Sequence, residues 1–395
     1  MANRDALSKK ALLKLIHTWI GIVAGVFLTV LALTGSVIVF RAELAQAALP
    51  KSAPAADPSR RAGLDDAGRE VNRIRPDAHI RRVRLPGGPG DPYIFQVQSS
   101  GKRTERFVSD ASSGRVIGVV ESGWVEWVVD LHRNFLSGTS GRSAVGIAGI
   151  VLFVLGSTGL LMWLSGARRW RAWISVRRGG SARRFNFELH RVSGLWTYGF
   201  LVVIAFTGIG LSYPAAFRQA VLSVTGKPAT MQAPKGIAAE LILPLDDYLR
   251  IGRAAMPDGV PVELRLPEPG KGPVDLRLYR AGDLAPSANH VYLDPATAAV
   301  VRVDRIADRP IGARFLAALG PIHYGQFGGI PIKVAWALLG LTPVLLFVTG
   351  LIAWWRPAKR KSNQAPAPEQ TGSEDLALAG VRFEQLQRTN YASND

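Results

Sequence analysis

Four long apolar runs punctuate the chain, with polar, turn-rich stretches between them. They cover 11–40, 144–164, 192–213 and 334–355, each close to the roughly 20 residues a helix needs to cross a bilayer. Lys14 is the one charge in the first run and can snorkel to the interface. Pro343 lacks an N–H, which predicts a kink in the fourth. Trp163, Tyr213, Trp354 and Trp355 stand near span ends, where aromatic anchors concentrate. Between the runs, residues 93–97 and 274–278 alternate apolar and polar side chains, which predicts half-buried strands.

The pattern repeats. His17 is followed by Gly21 and then Thr34-Gly35; His190 is followed, at the same intervals, by Gly194 and Thr207-Gly208. His132 precedes Thr158-Gly159 and Trp163, and His323 precedes Thr349-Gly350 and Trp354, again in matching register. The intervening stretches match more loosely, through Pro76-Asp77 with Leu85-Pro86 and Pro257-Asp258 with Leu266-Pro267. A helix is predicted before each Pro-Asp, over 62–74 and 245–256, with three or four antiparallel strands after it. The predicted fold is integral membrane α-helical. It has four transmembrane helices as two parallel repeats about an axis along the membrane normal, each with a small α+β domain outside the bilayer.

Charge supplies the topology. Of 395 residues 48% are hydrophobic and only 20% charged, yet the formal net charge is +18. The basic residues gather in the N-terminus (1–10), in the loop 165–191 that also starts the third helix, and in the tail 356–395, which reads as disordered. The positive-inside rule places these on the cytoplasmic side and the domains 41–143 and 214–333 on the other. That accounts for the charge without nucleic acid. Ala45-Gln46-Ala47 resembles a signal-peptide cleavage site, but the preceding apolar run is about twice the usual length and has a repeat partner, so a retained helix is expected.

With no cysteine, disulfides, iron–sulfur clusters and thiolate metal sites are excluded. Metal chemistry must rest on six histidines. His17 and His190 fall at the cytoplasmic ends of spans one and three, and His132 and His323 precede spans two and four on the outer side. The repeat brings each pair to one depth. His79 and His290 lie outside the repeat and read as surface residues. Two imidazoles in an apolar, thiol-free setting suit b-type haem, and two haems are expected. Eighteen residues make five helical turns, so Gly35 shares a face with His17 about 27 Å away. Gly35 and Gly208 are therefore expected beside the outer pair, and Gly159 and Gly350 beside the inner, leaving flat room for a porphyrin. Arg133 and Arg191 are cations placed to meet propionates. Each feature has a plainer alternative: an interfacial histidine, a close-packed Thr-Gly surface, a headgroup-binding arginine. Arg81, Arg82 and Arg84 read as a solvated strand face, with steering of anionic complexes as the alternative.

His17-Thr-Trp-Ile-Gly with LALTG, Leu131-His132-Arg133 with STGLLMW, Leu189-His190-Arg191 with AFTG, and Ile322-His323 with VTGLIAWW resemble the PepSY-associated transmembrane family over about residues 11–360. Within it the chain is similar to inner-membrane ferric-siderophore reductases of the ferrioxamine type. The resemblance implies PepSY-like periplasmic domains, haem b held by His17, His132, His190 and His323, and reduction of ferric siderophores to release Fe(II). Some such proteins carry a flavodoxin or ferredoxin-reductase-like extension. Here only a polar tail follows, and no G-x-G-x-x-G stands in strand–helix context. A separate electron donor is therefore expected, either quinol or a cytosolic flavoprotein. The rival readings are a PepSY-type peptide-binding or peptidase-regulating membrane protein without redox activity, and a siderophore permease.

Overall fold

The computed structural model describes residues 8–355 apart from 51–61, 89, 100–103, 121–122, 166–173, 178, 227–232, 235–236 and 238–239. The expected tail and much of the basic loop, Arg168, Arg169 and Arg171 included, lie outside the described residues. The first half runs α1 (Lys9–Ile38), α2 (Arg41–Ala47), α3 (Leu64–Ile74), β1 (Ala78–Arg84), β2 (Tyr93–Ser99), β3 (Glu105–Ser109), β4 (Val116–Val119), α4 (Trp124–Asn134) and α5 (Gly138–Leu164). The second runs α6 (Ala182–Ser212), α7 (Pro214–Thr225), α8 (Leu245–Ala255), β5 (Val260–Arg265), β6 (Val274–Tyr279), β7 (Asn289–Leu293), β8 (Val300–Asp304), α9 (Ile311–Tyr324), α10 (Gly329–Gly340) and α11 (Thr342–Trp355). The same kinds of element follow in the same order.

Four helical stretches are long and apolar enough to span a membrane: α1, α5, α6 and the α10–α11 pair, with mean hydropathy from 1.7 to 2.2. α1 starts where the Ser8 hydroxyl accepts the Ala11 N–H. α6 starts at Ala182, ten residues before its apolar run. Ser181 caps it, and buried Glu188 accepts from the Arg177 N–H and the Arg184 guanidinium. The fourth span breaks at Leu341, just ahead of Pro343, which has no N–H to donate back along the helix. The segment 45–47 lies within α2.

The strands depart from expectation. They form not two small units but one eight-stranded antiparallel sheet, ordered β4-β3-β2-β1-β5-β6-β7-β8. β1 and β5 are each the edge of a four-stranded set, with unpaired N–H and C=O groups. Pairing them through Arg82↔Arg265, Val83↔Leu264 and Arg84↔Glu263 removes two open edges at once. It also makes one core. Leu64, Val71 and Phe95 from the first half pack in the same cluster as Tyr248, Leu264 and Leu293 from the second, all fully buried.

α3 and α8 lie on the core face of this sheet and cap one another. Neither Gly63 nor Pro244, their own capping positions, supplies a side-chain acceptor. The Asp246 carboxylate instead accepts the N–H groups of Leu64 and Asp65 at 2.9 and 3.1 Å. The Asp65 carboxylate accepts those of Leu245 and Asp246 at 2.6 and 3.1 Å. Both anions sit at helix N-termini, where the dipole favours them. Burial pushes the Asp65 carboxyl above its ordinary value, and neighbouring Asp246 adds to this against the backbone N–H groups that favour the anion.

Asp246→Ala should therefore cost about 1–2 kcal/mol, as the loss of a good N-cap does. A carboxyl raised in the folded state contributes fully at acid pH and loses that contribution as pH rises through its folded value. Asp246→Asn keeps an acceptor but removes the neighbouring charge, so it should flatten that loss. Thermal melts of the detergent-solubilised protein from about pH 4 to about pH 7, followed by circular dichroism, check both.

Paired histidines as a candidate functional site

The helices bring the four repeated histidines into two pairs. His17 on α1 faces His190 on α6, with ring centroids 6.3 Å apart and planes at 88°. His132 on α4 faces His323 on α9, also at 6.3 Å, with planes at 53°. The second pair lies on the sheet side and depends on two sharp reversals. α4 ends in left-handed Phe135 and Leu136, and α9 in Gly325, at φ of 46°, 59° and 65°. Each reversal turns the histidine back over the end of a span. At Gly325 a Cβ would also meet the Trp336 ring at 2.9 Å, so glycine is required there twice over.

Every imidazole is anchored through Nδ1 to the threonine of a Thr-Gly pair on another helix. His17 reaches Thr158 at 2.8 Å, His132 reaches Thr34 at 3.0 Å, His190 reaches Thr349 at 3.0 Å, and His323 reaches Thr207 at 2.8 Å. Proton counting favours one tautomer. Each hydroxyl donates its one proton to the carbonyl four residues back, at 2.6–2.9 Å, to Val30, Val154, Val203 or Leu345. The threonine oxygen must then accept, so each ring carries its proton on Nδ1. His190 Nδ1 also faces the Leu346 carbonyl at 3.0 Å, which only a donor can satisfy. Nε2 is left in all four rings as an unprotonated lone pair.

The structure places Gly35 and Gly208 at the sheet-side pair and Gly159 and Gly350 at the other, each against an imidazole edge. A Cβ on Gly35 would come within 2.9 Å of His132 Cε1, and one on Gly208 or Gly350 within 3.3 Å of its histidine. At Gly159 the distance to His17 is 3.5 Å. The lack of a Cβ admits the imidazole edge at each of these positions. Arg133 is exposed and bonds Asp130 at 2.8 Å, while Arg191 lies 6.0 Å over the Phe187 ring.

The donor set can be tested against haem. An iron bound by both Nε2 atoms at about 2 Å each, with two ring radii adding about 2 Å in all, needs ring centroids about 6 Å apart. Both pairs stand close to that. Nδ1–H donation to a fixed acceptor is the usual outer-shell support of a metal-binding imidazole. Among the described residues no group of three or more histidine, aspartate or glutamate side chains converges. Each pair thus brings two imidazoles to a metal's reach without a third such side chain, a donor set that suits a macrocycle supplying the rest. His17 and Thr34 are seventeen residues apart on α1, which separates the two pairs by about 26 Å along the helix.

The threonine acceptors were visible in the sequence only as small packing residues. Their constant position, always just before the glycine that faces a histidine, was the available signal. His290 needs correction. It is not at the surface but buried, bonded through Nδ1 to Asp275 at 2.8 Å and stacked on Tyr292. Burial would raise the Asp275 carboxyl, yet the His290 hydrogen bond and the Arg277 charge hold it below its ordinary range. His79 is exposed, as expected.

Among the described residues, four membrane-spanning helical stretches with two half-buried histidine pairs and one eight-stranded sheet define a class of integral membrane protein. The chain belongs to the family described as the PepSY-associated TM region, whose family model matches residues 15–356. It is also 28% identical over 260 residues to an uncharacterized protein of Pseudomonas aeruginosa, a match covering 58% of this chain and 63% of that protein.

Nitrogen NMR of 15N-histidine-labelled protein, prepared without iron, should find these four rings protonated at Nδ1. Thr34→Val removes one acceptor and should return His132 toward the ordinary tautomer mixture while the other three stay unchanged.

Proposed function

We propose that the chain is a transmembrane di-haem oxidoreductase of the bacterial inner membrane. It passes electrons from quinol or a cytosolic flavoprotein to a ferric siderophore on the periplasmic side. The observation that carries this reading is the two imidazole pairs, each with ring centroids 6.3 Å apart and, among the described residues, no third histidine, aspartate or glutamate converging on them. Lys9, Lys10, Arg177, Arg183 and Arg184 lie at the end remote from the sheet, which supports a cytoplasmic N-terminus and a periplasmic sheet.

His17 and His190 would hold one haem b, and His132 with His323 the other. When bound, each haem supplies a one-electron carrier at its own depth. The chain's own residues do the rest. Thr34, Thr158, Thr207 and Thr349 hold the Nδ1 protons and so keep Nε2 as the ligand atom. The apolar walls of α1, α5, α6 and α11 exclude water between the two sites. Arg133 and Arg191 are the adjacent cations available to propionates. Reduction lowers the charge of the ferric ion, and Fe(II) is held more weakly by hard oxygen donors, so the metal is released from an intact chelator.

Protein purified from haem-replete cells should show a b-type spectrum on dithionite reduction, with two haems per chain by pyridine haemochrome. His17→Ala and His132→Ala should each remove one. Thr34→Val should weaken retention at its site about ten- to hundredfold. A colourless protein would overturn the reading and favour the peptide-binding or permease alternatives.

A further inference from the structure

The sheet has two faces. One packs on α3 and α8. On the other, a single ladder row crosses the strands and carries Arg106, Arg82, Arg265 and Arg302, with Asp275 as its only acid. Arg82 and Arg265 stand directly opposite each other at the β1–β5 junction, an arrangement that costs stability between neighbouring strands. The nearest relief is inadequate. The Glu263 carboxylate is shared by three guanidiniums, contacting Arg265 and lying 3.6 Å from Arg82 and 3.9 Å from Arg277. Burial lowers the Arg82 guanidinium from its ordinary value. The charges of Arg265, Arg277 and Arg106 lower it further, against the pull of Glu263.

A bulge between Ile80 and Arg82 adds a further cation. Arg81 lines an open groove of about 550 Å³ together with Arg265, Lys271, Glu268 and Asp275. Arg81 Nη1 is buried there without an acceptor, and its other nitrogen reaches Glu268 only at 3.5 Å. Buried donors left unmet are costly, and a ligand oxygen would satisfy this one.

The same face is tied to the helices that carry the sheet-side histidines. Arg106 bonds Glu126 of α4 at 3.4 Å, fewer than two turns before His132. Asp304 of β8 takes both arms of Arg309, at 2.9 and 2.8 Å, just before α9 and His323. Arg41, at the sheet end of α1, bonds Glu126 as well.

We propose that this arginine row and the groove beside it bind a polyanionic ferric chelate with oxygen donors, docked over the His132–His323 pair. The iron in this assignment rests on the reductase reading; the charge rests on the face itself. Neutral or cationic chelates gain nothing from four guanidiniums and are selected against.

The test measures binding of gallium(III) chelates to the full chain in nanodiscs of zwitterionic lipid. Gallium matches the ferric charge and is not reduced, so binding is read apart from electron transfer. The probes are a trianionic gallium tris-catecholate and a monocationic gallium trihydroxamate. The trianion should bind at least about tenfold tighter and weaken as salt rises, since the site is screened. Arg82→Gln should cost it about tenfold, Arg82→Lys much less, and Arg81→Gln, outside the ladder, should weaken it too. Equal affinity for both probes, or trianion binding unchanged in Arg82→Gln and Arg81→Gln, overturns the assignment even where ferric chelates are reduced. Selective trianion binding without any ferric reduction sustains the anion site and overturns the reductase reading instead.

Discussion

An imidazole inside an apolar bundle has a ring N–H that no water can meet, and an unmet buried donor costs about 1–3 kcal/mol. Here a threonine one helix away accepts it, four times over. A helical threonine can do this because its own proton goes to the carbonyl one turn back. The ring must come close, which the next residue permits by having no Cβ. Glycine in a helix costs roughly 1 kcal/mol relative to alanine, less than the donor it allows to be satisfied. Thr-Gly is therefore one device with two parts. Because it always takes Nδ1, it also decides which nitrogen remains for chemistry.

That device sets much of the surrounding architecture. His17 and His190 ride on spans and meet threonines near the ends of α5 and α11 without special arrangement. His132 and His323 come from outside the spans, and need α4 and α9 to run toward the bundle and stop sharply. The left-handed residues at 135, 136 and 325 make those stops. An ion pair between buried Lys333 and partly exposed Glu43 joins α10 to α2 at the same end. Removing one of these threonines takes away an orienting partner of its ring, and at His190 a second, the Leu346 carbonyl, remains in place at 3.0 Å.

Much of this was legible beforehand. Spans read directly from hydropathy, and the fixed His-to-Gly intervals put the right glycines beside the right histidines. What could not be read was what those glycines are for, since spacing locates a residue on a helix face without saying which atom approaches it. The joined sheet was hidden for a different reason. β1 and β5 lie about 180 residues apart, and alternation within a strand carries no information about its neighbour on the far edge. The arginine row followed the same fate, because Arg82 looks solvated until Arg265 is placed opposite it. His290 reads as a surface residue because it lies outside the histidine repeat, and only the fold puts Asp275 beside it.

The mutual capping of α3 and α8 has a consequence for how the molecule is built. Each helix gives its neighbour a carboxylate and receives one in return, and the strand order reads the same outward from the β1–β5 seam in both directions. That is the geometry of an isologous contact, in which one surface is its own complement. In this respect the seam has the form of a two-fold interface within a single backbone. Residues that straddle the seam, Arg82 and Arg265 among them, belong to neither half. The molecule therefore owns one such face, as it owns one histidine pair of each kind, where its sets of strands come in twos.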